Sequence, residues 1–252
     1  ERVQGPAVDA PAGRASMGVP ALDAMLGGGL PRGYSLLVAG PSGSGKSILA
    51  ASFLVEGDRQ GETGVLAAFE QRPSRARTPA LAALIEQGRV ALVERHEGDL
   101  SIDEVVGLIL QAARRLEATR VVLDSLSGLE LALAPTFRTD FRESLLSLVH
   151  ALTRAGLTVV MNSELEDRYT DLRFSPYGAA FLTDAIVVQR YIEVDSRLQR
   201  VMAVVKVRGS DHSDALHRYH IDAQGLHVDE MPADQEGLLG GRPTRKTRDP
   251  RP

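Results

Sequence analysis

The sequence of 252 residues contains no cysteine and no tryptophan. The absence of cysteine excludes disulfide bonds, thiolate catalysis and thiolate-ligated metal sites. No apolar run approaches the length of a membrane span, and no secretory signal segment is present. The formal net charge is -4, so a general electrostatic affinity for nucleic acid is not indicated. The hydrophobic content of 43% is that of a globular protein, for which we expect a cytoplasmic location.

The length fits one α/β domain with terminal segments. Residues 1–15 hold Gly, Ala and Pro without periodicity, which predicts a flexible leader. Residues 16–232 form the predicted domain. Residues 233–252 carry arginines among Pro and Gly, which predicts a flexible basic tail. Such a tail is usually only solvated, and a role in binding nucleic acid is the alternative.

Strand-like apolar runs alternate with helical periodicity through the first two thirds of the chain. This alternation predicts a mostly parallel central sheet with helices on both faces. The last third contains long strand-like runs joined by turn residues, which predict antiparallel strands at the C-terminal end. Ligands of such α/β folds bind at the carboxyl ends of the parallel strands. Three carboxylates are expected there, namely Glu70, Asp124 and Glu164.

The strongest functional signal is the sequence GPSGSGKS at residues 40–47, which fits the pattern G-x-x-x-x-G-K-[ST]. An apolar run precedes it and a helix-like segment follows. Glycines lack Cβ, so the backbone can direct its N–H groups at phosphate oxygens, and the helix N-terminus adds partial positive charge. A plain Gly/Ser-rich turn is the alternative, but the flanking pattern favours a phosphate-binding loop for a nucleoside triphosphate. The expected contact residues are Gly40, Ser42, Gly43, Ser44, Gly45, Lys46, Ser47 and Ile48.

Four side chains are candidates for the chemistry of this site. Lys46 is expected to reach the β- and γ-phosphates, and the Ser47 hydroxyl to complete the shell of a Mg²⁺ ion. Asp124 follows four apolar strand residues and is expected to hold the same ion through water, unless it only caps the next turn. Glu70 is the candidate for aligning or deprotonating the attacking water, because hydrolysis needs a carboxylate facing the γ-phosphate. A surface glutamate at a strand end is the alternative.

Two cations close to each other in the last third of the chain form a further signal. Side chains two apart on a strand share a face, so Lys206 and Arg208 are expected to project together, with Val205 and Val207 on the other face. Charged residues on an edge strand can simply prevent aggregation. The alternative is a cationic pair delivered to a phosphate, like an arginine finger.

Several motifs in one order, from about residue 16 to residue 228, make the sequence resemble the KaiC-like branch of RecA-type ATPases. The motifs are GVPALD at 18–23, LGGGLPRG at 26–33, the phosphate loop, FE at 69–70, VLDSL at 122–126, MNSE at 161–164, YG at 177–178 and KVRGSDH at 206–212. The combination is much more specific than the loop alone.

The resemblance implies ATP and Mg²⁺ as ligands and a hexameric ring with ATP between subunits. The loop would come from one subunit, and the residues facing its ATP from the neighbour would be Lys206, Val207, Arg208, Ser210 and His212. Catalysis is then assigned to Glu70, Lys46, Lys206 and Arg208. Relatives often carry a second carboxylate where this chain has Gln71, which favours slow turnover. Ala180 and Phe181 stand where the phosphorylated half of KaiC has a Ser-Thr pair, so that autophosphorylation is not expected.

Two functions from different classes remain open. The first is an ATP-hydrolysing ring that acts as a nucleotide-dependent switch for a signalling or clock-like protein partner. The second is a DNA-binding ATPase module of the RecA/RadA type. Residues 125–136 contain no Lys or Arg, and residues 166–174 mix both charge signs, unlike the basic aromatic strips that bind single strands. The sequence therefore favours the switch, without a nucleic-acid or membrane partner.

Overall fold

The computed structural model describes residues 12–69, 78–94, 100–133, 140–165, 182–194, 196–229, 235–236 and 244–245. The helices of the described chain are α1 (Pro20–Met25), α2 (Lys46–Arg59), α3 (Pro79–Glu86), α4 (Ile102–Leu116), α5 (Leu126–Ala132) and α6 (Phe141–Arg154). The strands are β1 (Arg14–Ala15), β2 (Leu30–Pro31), β3 (Ser35–Gly40), β4 (Gly64–Ala68), β5 (Val90–Glu94), β6 (Arg120–Asp124), β7 (Thr158–Glu164), β8 (Ala185–Val194), β9 (Arg197–Val207), β10 (His217–Asp222), β11 (Gly225–Asp229), β12 (Gln235–Glu236) and β13 (Thr244–Arg245).

A nine-stranded sheet forms the centre of the molecule, with the order β11-β10-β9-β8-β3-β7-β6-β4-β5. Six neighbouring strands of this sheet run parallel to one another, in the order β8-β3-β7-β6-β4-β5. Strands β9, β10 and β11 then continue the sheet in antiparallel pairs. The predicted mostly parallel sheet with antiparallel strands at its C-terminal end is confirmed.

The sheet separates two hydrophobic cores. The apolar faces of α1, α2 and α3 pack on one face of the sheet, and those of α4, α5 and α6 pack on the other. Strands β3, β6 and β7 contribute alternate residues to both cores, since successive side chains of a strand point to opposite faces. Burial on both faces explains why these strands read as continuous apolar runs in the sequence.

Arg120 at the start of β6 is fully buried within the core formed by α2. Its guanidinium donates to Glu62 at 3.0 and 3.1 Å, and to the carbonyl oxygens of Ser16 at 2.7 Å and Phe53 at 2.8 Å. It also stacks over the Phe53 ring, 4.6 Å from the centroid. A Cβ on Gly57 would lie 2.6 Å from Cδ of Arg120, so the helix needs glycine where this side chain crosses it. The buried cation is thus paired and enclosed.

Short strands also occur in the two terminal segments that the sequence assigns to a leader and a tail. Strand β1 pairs with β2, and Ala15 is completely buried. Strands β12 and β13 pair with each other. The division into leader, domain and tail stays a prediction. None of the helices in the described ranges combines the length and the apolar composition needed to cross a membrane.

Candidate nucleotide-binding site

The phosphate loop lies between the carboxyl end of β3 and the N-terminus of α2, as its sequence predicts. Gly45 precedes the helix with φ of 100°, a left-handed conformation that favours glycine. A Cβ at this position would also lie 2.4 Å from Cδ1 of Ile221. Conformation and packing therefore both require glycine here.

A cavity of about 450 Å³ opens beside the loop. Its lining residues are Ser42, Gly43, Gly45, Lys46, Ser47, Ile48, Asp124, Ser125, Glu164, Arg200 and Ile221. The predicted loop residues and the strand-end carboxylates Asp124 and Glu164 thus share one cavity. Its volume is in the range of small-molecule and cofactor sites.

Lys46 is held inside the loop in this structure. Its Nζ donates to the carbonyl oxygens of Gly40 and Pro41, each at 2.8 Å. The helix N-terminus and this ammonium group give the loop two sources of positive charge. The loop can therefore attract and bind phosphate oxygens.

Asp124 ends β6 at the edge of the cavity, with its side chain partly exposed. Its Oδ1 accepts a hydrogen bond of 2.9 Å from Nδ2 of Asn162 on the neighbouring strand β7. The Ser125 hydroxyl caps α5 by accepting from the N–H of Gly128. Since Ser125 supplies this cap, the turn does not depend on Asp124, which lines the cavity.

The site fits a Mg²⁺ ion that is held largely by a nucleotide. Ser47 and Asp124 both line the cavity, one with a hydroxyl and one with a carboxylate. Among the described residues, no group of three or more His, Asp or Glu side chains is arranged to hold a metal ion by itself. Magnesium commonly takes one or two protein ligands together with substrate phosphates and water. A hydroxyl–carboxylate pair is therefore sufficient.

Four residues of β8, β9 and β10 contact the loop or its cavity and were not predicted from the sequence. Arg200 and Ile221 line the cavity, and the guanidinium of Arg200 lies 5.5 Å from the centroid of the Tyr191 ring. Tyr219 and Gln189 bond to Ser44. Only the register could have located them, because Tyr191 pairs with Arg200 and Arg200 pairs with Tyr219 across three strands.

The KVR segment (residues 206–212) lies near the amino ends of the parallel strands, whereas the loop lies at their carboxyl ends. Val207 pairs with Ala185, and Ala185 pairs with Leu36 near the start of β3. Gly40, where the loop begins, is four residues further along β3. This offset is roughly 13 Å along the strand, and two strand spacings add roughly 10 Å sideways. The structure therefore brings together the loop and Asp124 but not the KVR segment of the same chain.

The side-chain alternation of β9 differs from the prediction near Lys206. Val205 packs against the core of α4, α5 and α6, whereas Val207 lies in the other core, so the prediction that they share a face is wrong. The cause is an irregularity between Ile186 and Val187, where β9 has one extra residue. Such a bulge interrupts the alternation of a strand.

Both cations of the KVR segment have partners on the same chain. Lys206 Nζ donates to the carbonyl oxygen of Thr183 at 2.6 Å, and Arg208 lies 3.7 Å from Asp184. Burial and the charge of Arg208 lower the pKa of Lys206, against the opposing effect of Asp184. The Arg208 side chain is 56% exposed and can reach outward from this edge.

Ser210 and His212 lie close to the N-terminal segment. The Ser210 hydroxyl accepts a hydrogen bond from Arg14, which also donates to the carbonyl oxygens of Leu26 and Gly29. His212 is exposed. The segment that the sequence assigns to an interface is thus anchored on its own chain and open to solvent.

Several predicted residues lie outside the described residues. They are Glu70, Gln71, Tyr177, Gly178, Ala180 and Phe181. The role of Glu70 in catalysis stays a prediction. Glu164 is the exposed carboxylate of the described cavity.

A mostly parallel sheet with a phosphate loop after one strand and an acidic strand end beside it defines a P-loop nucleotide-binding protein of RecA-like fold. A KaiC-like protein of this fold, PH0186 from Pyrococcus horikoshii, superposes with a TM-score of 0.76 and 27% identity, covering 87% of this chain and 100% of that chain. The family model "ATPase: KaiC" matches residues 15–233, and the chain belongs to this family. The resemblance stated from the motifs is confirmed.

Two curated relatives illustrate the range of the family. The circadian clock protein KaiC3 of Synechocystis is 31% identical over 211 residues, which are 77% of this chain and 41% of KaiC3. The protein MK0039 of Methanopyrus kandleri is 28% identical over 237 residues, covering 86% of this chain and 92% of its own length. The chain therefore spans less than half of KaiC3 but nearly all of MK0039.

Proposed function

We propose that the chain binds ATP with Mg²⁺, hydrolyses it slowly, and works in a hexameric ring as a nucleotide-dependent switch for a signalling or clock-like protein partner in the cytoplasm. The observation that carries the proposal is the position of the phosphate loop and of the KVR segment at opposite ends of the parallel strands. The phosphate loop and Asp124 share one cavity, while the KVR segment lies near the amino ends of the parallel strands. The loop end then lacks the cations Lys206 and Arg208, and the end with the KVR segment lacks a phosphate loop.

The loop side would bind the triphosphate within one subunit. Lys46 would exchange its bonds to the Gly40 and Pro41 carbonyls for phosphate oxygens, and the loop N–H groups would bind the others. Ser47 and Asp124 would hold Mg²⁺. The bound metal would neutralise charge on the phosphates, and Glu70 would orient or deprotonate the attacking water. Gln71 beside it supports slow turnover.

The KVR segment would contact the ATP that is bound by the neighbouring subunit. Arg208 offers a rigid fork of N–H donors and Lys206 a compact charge, both suited to phosphate oxygens. The separation of both side chains from their own loop supports contact with the ATP of a second chain. Ser210, Val207 and His212 would complete this contact surface.

Binding of DNA in the manner of RecA and RadA is the second candidate. Its support is the shared fold of the two groups of ATPases. Helix α5, which follows Asp124, contains no Lys or Arg, and the net charge is -4. A basic strip of the kind that holds single strands is therefore missing from this described helix.

The proposal predicts that Lys46→Ala strongly weakens ATP binding while the unfolding midpoint stays near that of the parent. Charge-assisted hydrogen bonds contribute about 1.5–3 kcal/mol, so the affinity should fall at least about tenfold. Titration calorimetry with Mg-ATP measures this loss. Arg59→Ala, at the exposed end of the same helix, is the matched control and should bind like the parent. Equal affinity of the Lys46 variant and the parent would overturn the whole site.

A second measurement separates the two candidate functions. Mass in solution should increase when ATP is added, and the anisotropy of labelled single-stranded DNA should not change at low salt. Tight, salt-sensitive DNA binding in the presence of ATP would favour the recombinase-like function instead.

A further inference from the structure

The phosphate loop is hydrogen-bonded to buried residues of β8 and β10. Tyr219 of β10 has only 3% of its surface exposed, and its hydroxyl donates to the carbonyl oxygen of Ser44 at 2.6 Å. The Ser44 hydroxyl in turn donates to Oε1 of Gln189 on β8 at 3.0 Å. Ser44 and Gln189 are both fully buried. One loop residue is thus held at its main chain and at its side chain by two different strands.

The bond from Tyr219 acts on the orientation of a loop N–H group. The carbonyl of Ser44 and the N–H of Gly45 belong to one planar peptide unit, in which they point in opposite directions. Fixing the carbonyl toward Tyr219 therefore aims the Gly45 N–H to the other side. Gly45 and Lys46 both line the cavity. The phenol hydroxyl thus constrains the direction in which the Gly45 N–H points.

Packing around the two tyrosine-bearing strands supports this arrangement. Ile221, two residues after Tyr219 on the same face, lies against Gly45 at a distance that leaves no room for a Cβ. Tyr191 Oη lies 3.1 Å from the position that a Cβ on Gly43 would take. The loop therefore packs against side chains of both β8 and β10.

We propose that Tyr219 is a positioning residue that holds the Ser44–Gly45 peptide in the conformation that receives nucleotide phosphates, with Gln189 fixing the Ser44 side chain. This inference rests on the proposed nucleotide-binding function and extends it to two residues outside the loop motif. Preorganised donors bind more tightly because the ordering cost is met before the ligand arrives. Burial raises the pKa of Tyr219, so its hydroxyl keeps the proton that it donates.

The test compares Tyr219→Phe with a control that loses a similar bond elsewhere. Thr63→Val removes a hydroxyl that donates to the carbonyl oxygen of Leu116 at 2.7 Å, away from the loop. We expect both variants to have lower unfolding midpoints. Only Tyr219→Phe should also raise the Kd for a fluorescent ATP analogue, by about tenfold, the equivalent of about 1.4 kcal/mol.

A lower midpoint of Tyr219→Phe with an unchanged Kd would mean that Tyr219 serves stability alone and would overturn the inference. Gln189→Met gives an independent measurement, also if Tyr219→Phe does not fold, and its Kd should rise about threefold, or about 0.7 kcal/mol. An unchanged Kd of Gln189→Met would overturn the role of that residue. The two proposals fail differently: if the parent does not bind the analogue, the proposed function fails, whereas binding by the parent and equally by both variants contradicts only the positioning role.

Discussion

Single residues of the site differ in how directly the sequence reveals them. The loop residues are contiguous, and a local pattern with fixed chemistry predicted that Lys46 and Ser47 would share a cavity. Asp124 was found by its place at a strand end. Tyr219 and Gln189 were missed, because their distance from Ser44 in sequence is 175 and 145 residues and only the strand order brings them together.

Glu70→Gln should keep ATP binding and lower the rate of hydrolysis by roughly 10²-fold or more, the usual effect of losing a general base. The prediction rests on the sequence position of Glu70, two residues after the carboxyl end of β4 at Ala68. Single-turnover hydrolysis measures the rate, with calorimetry as the check on binding.

Two further variants make this test specific. Gln71→Glu should raise the rate if a second carboxylate assists the first. Glu164→Gln is the comparison within the cavity, and an unchanged rate in the Glu70 variant with a lost rate in the Glu164 variant would transfer the catalytic role to Glu164.

Elements with local determinants can be predicted from the sequence. The spacing of Ser101 and Glu104 predicts a capping box, and both of its hydrogen bonds open α4. The bulge in β9 was not predictable in this way, because an extra residue in a strand depends on how the two strands of a hairpin align. A regular alternation therefore wrongly predicts that Val205 and Val207 share a face.

The junction of α2, β4 and β6 depends on an enclosed ion pair, which predicts a response to acid. Burial opposes ionisation of Glu62, but hydrogen bonds from Arg32, Arg120 and Thr119 outweigh it and hold the pKa of Glu62 well below its usual range. A carboxyl with a lowered folded-state pKa stabilises the fold above its unfolded-state value. This stabilisation is present at neutral pH and is lost as the pH falls below about 4.5 toward the folded-state pKa.

Glu62→Gln should therefore lower the free energy of unfolding at pH 7 by about 3 kcal/mol, since it leaves the buried Arg120 without its counter-charge. The loss should become smaller as the pH falls from 5 to 3. Urea unfolding at several pH values measures both effects. Glu56→Gln, at the surface pair with Arg59, is the control and should change stability by less than about 1 kcal/mol. An equal loss of unfolding free energy in the two variants would show that the buried pair contributes no more to stability than the surface pair.

The whole molecule offers a test of the proposed ring through complementation. Arg208→Ala and Lys46→Ala should each be inactive alone. The first variant lacks the cation offered to the neighbour's ATP, and the second lacks the lysine of the phosphate loop. Mixed assemblies should recover some hydrolysis, because an intact loop then meets an intact Arg208 in some interfaces. The steady-state rate of mixtures, as a function of their ratio, is the measurement.

Two outcomes would contradict action between subunits. One is no recovery despite demonstrated co-assembly of the two variants. The other is full hydrolysis by a monomer, which would mean that Arg208 acts within its own chain or only protects the sheet edge.

The separation of the loop from the KVR segment gives each chain a direction, with a donor end and an acceptor end. In a head-to-tail contact, one joined pair of chains completes a single site and leaves one end of each kind unused. Contacts of this head-to-tail kind either close by rotation or continue as a filament. An open row of chains always has one complete site fewer than it has chains. Under the proposed function, only closure makes every bound nucleotide equivalent, so hydrolysis per chain should reach a plateau when the last interface forms.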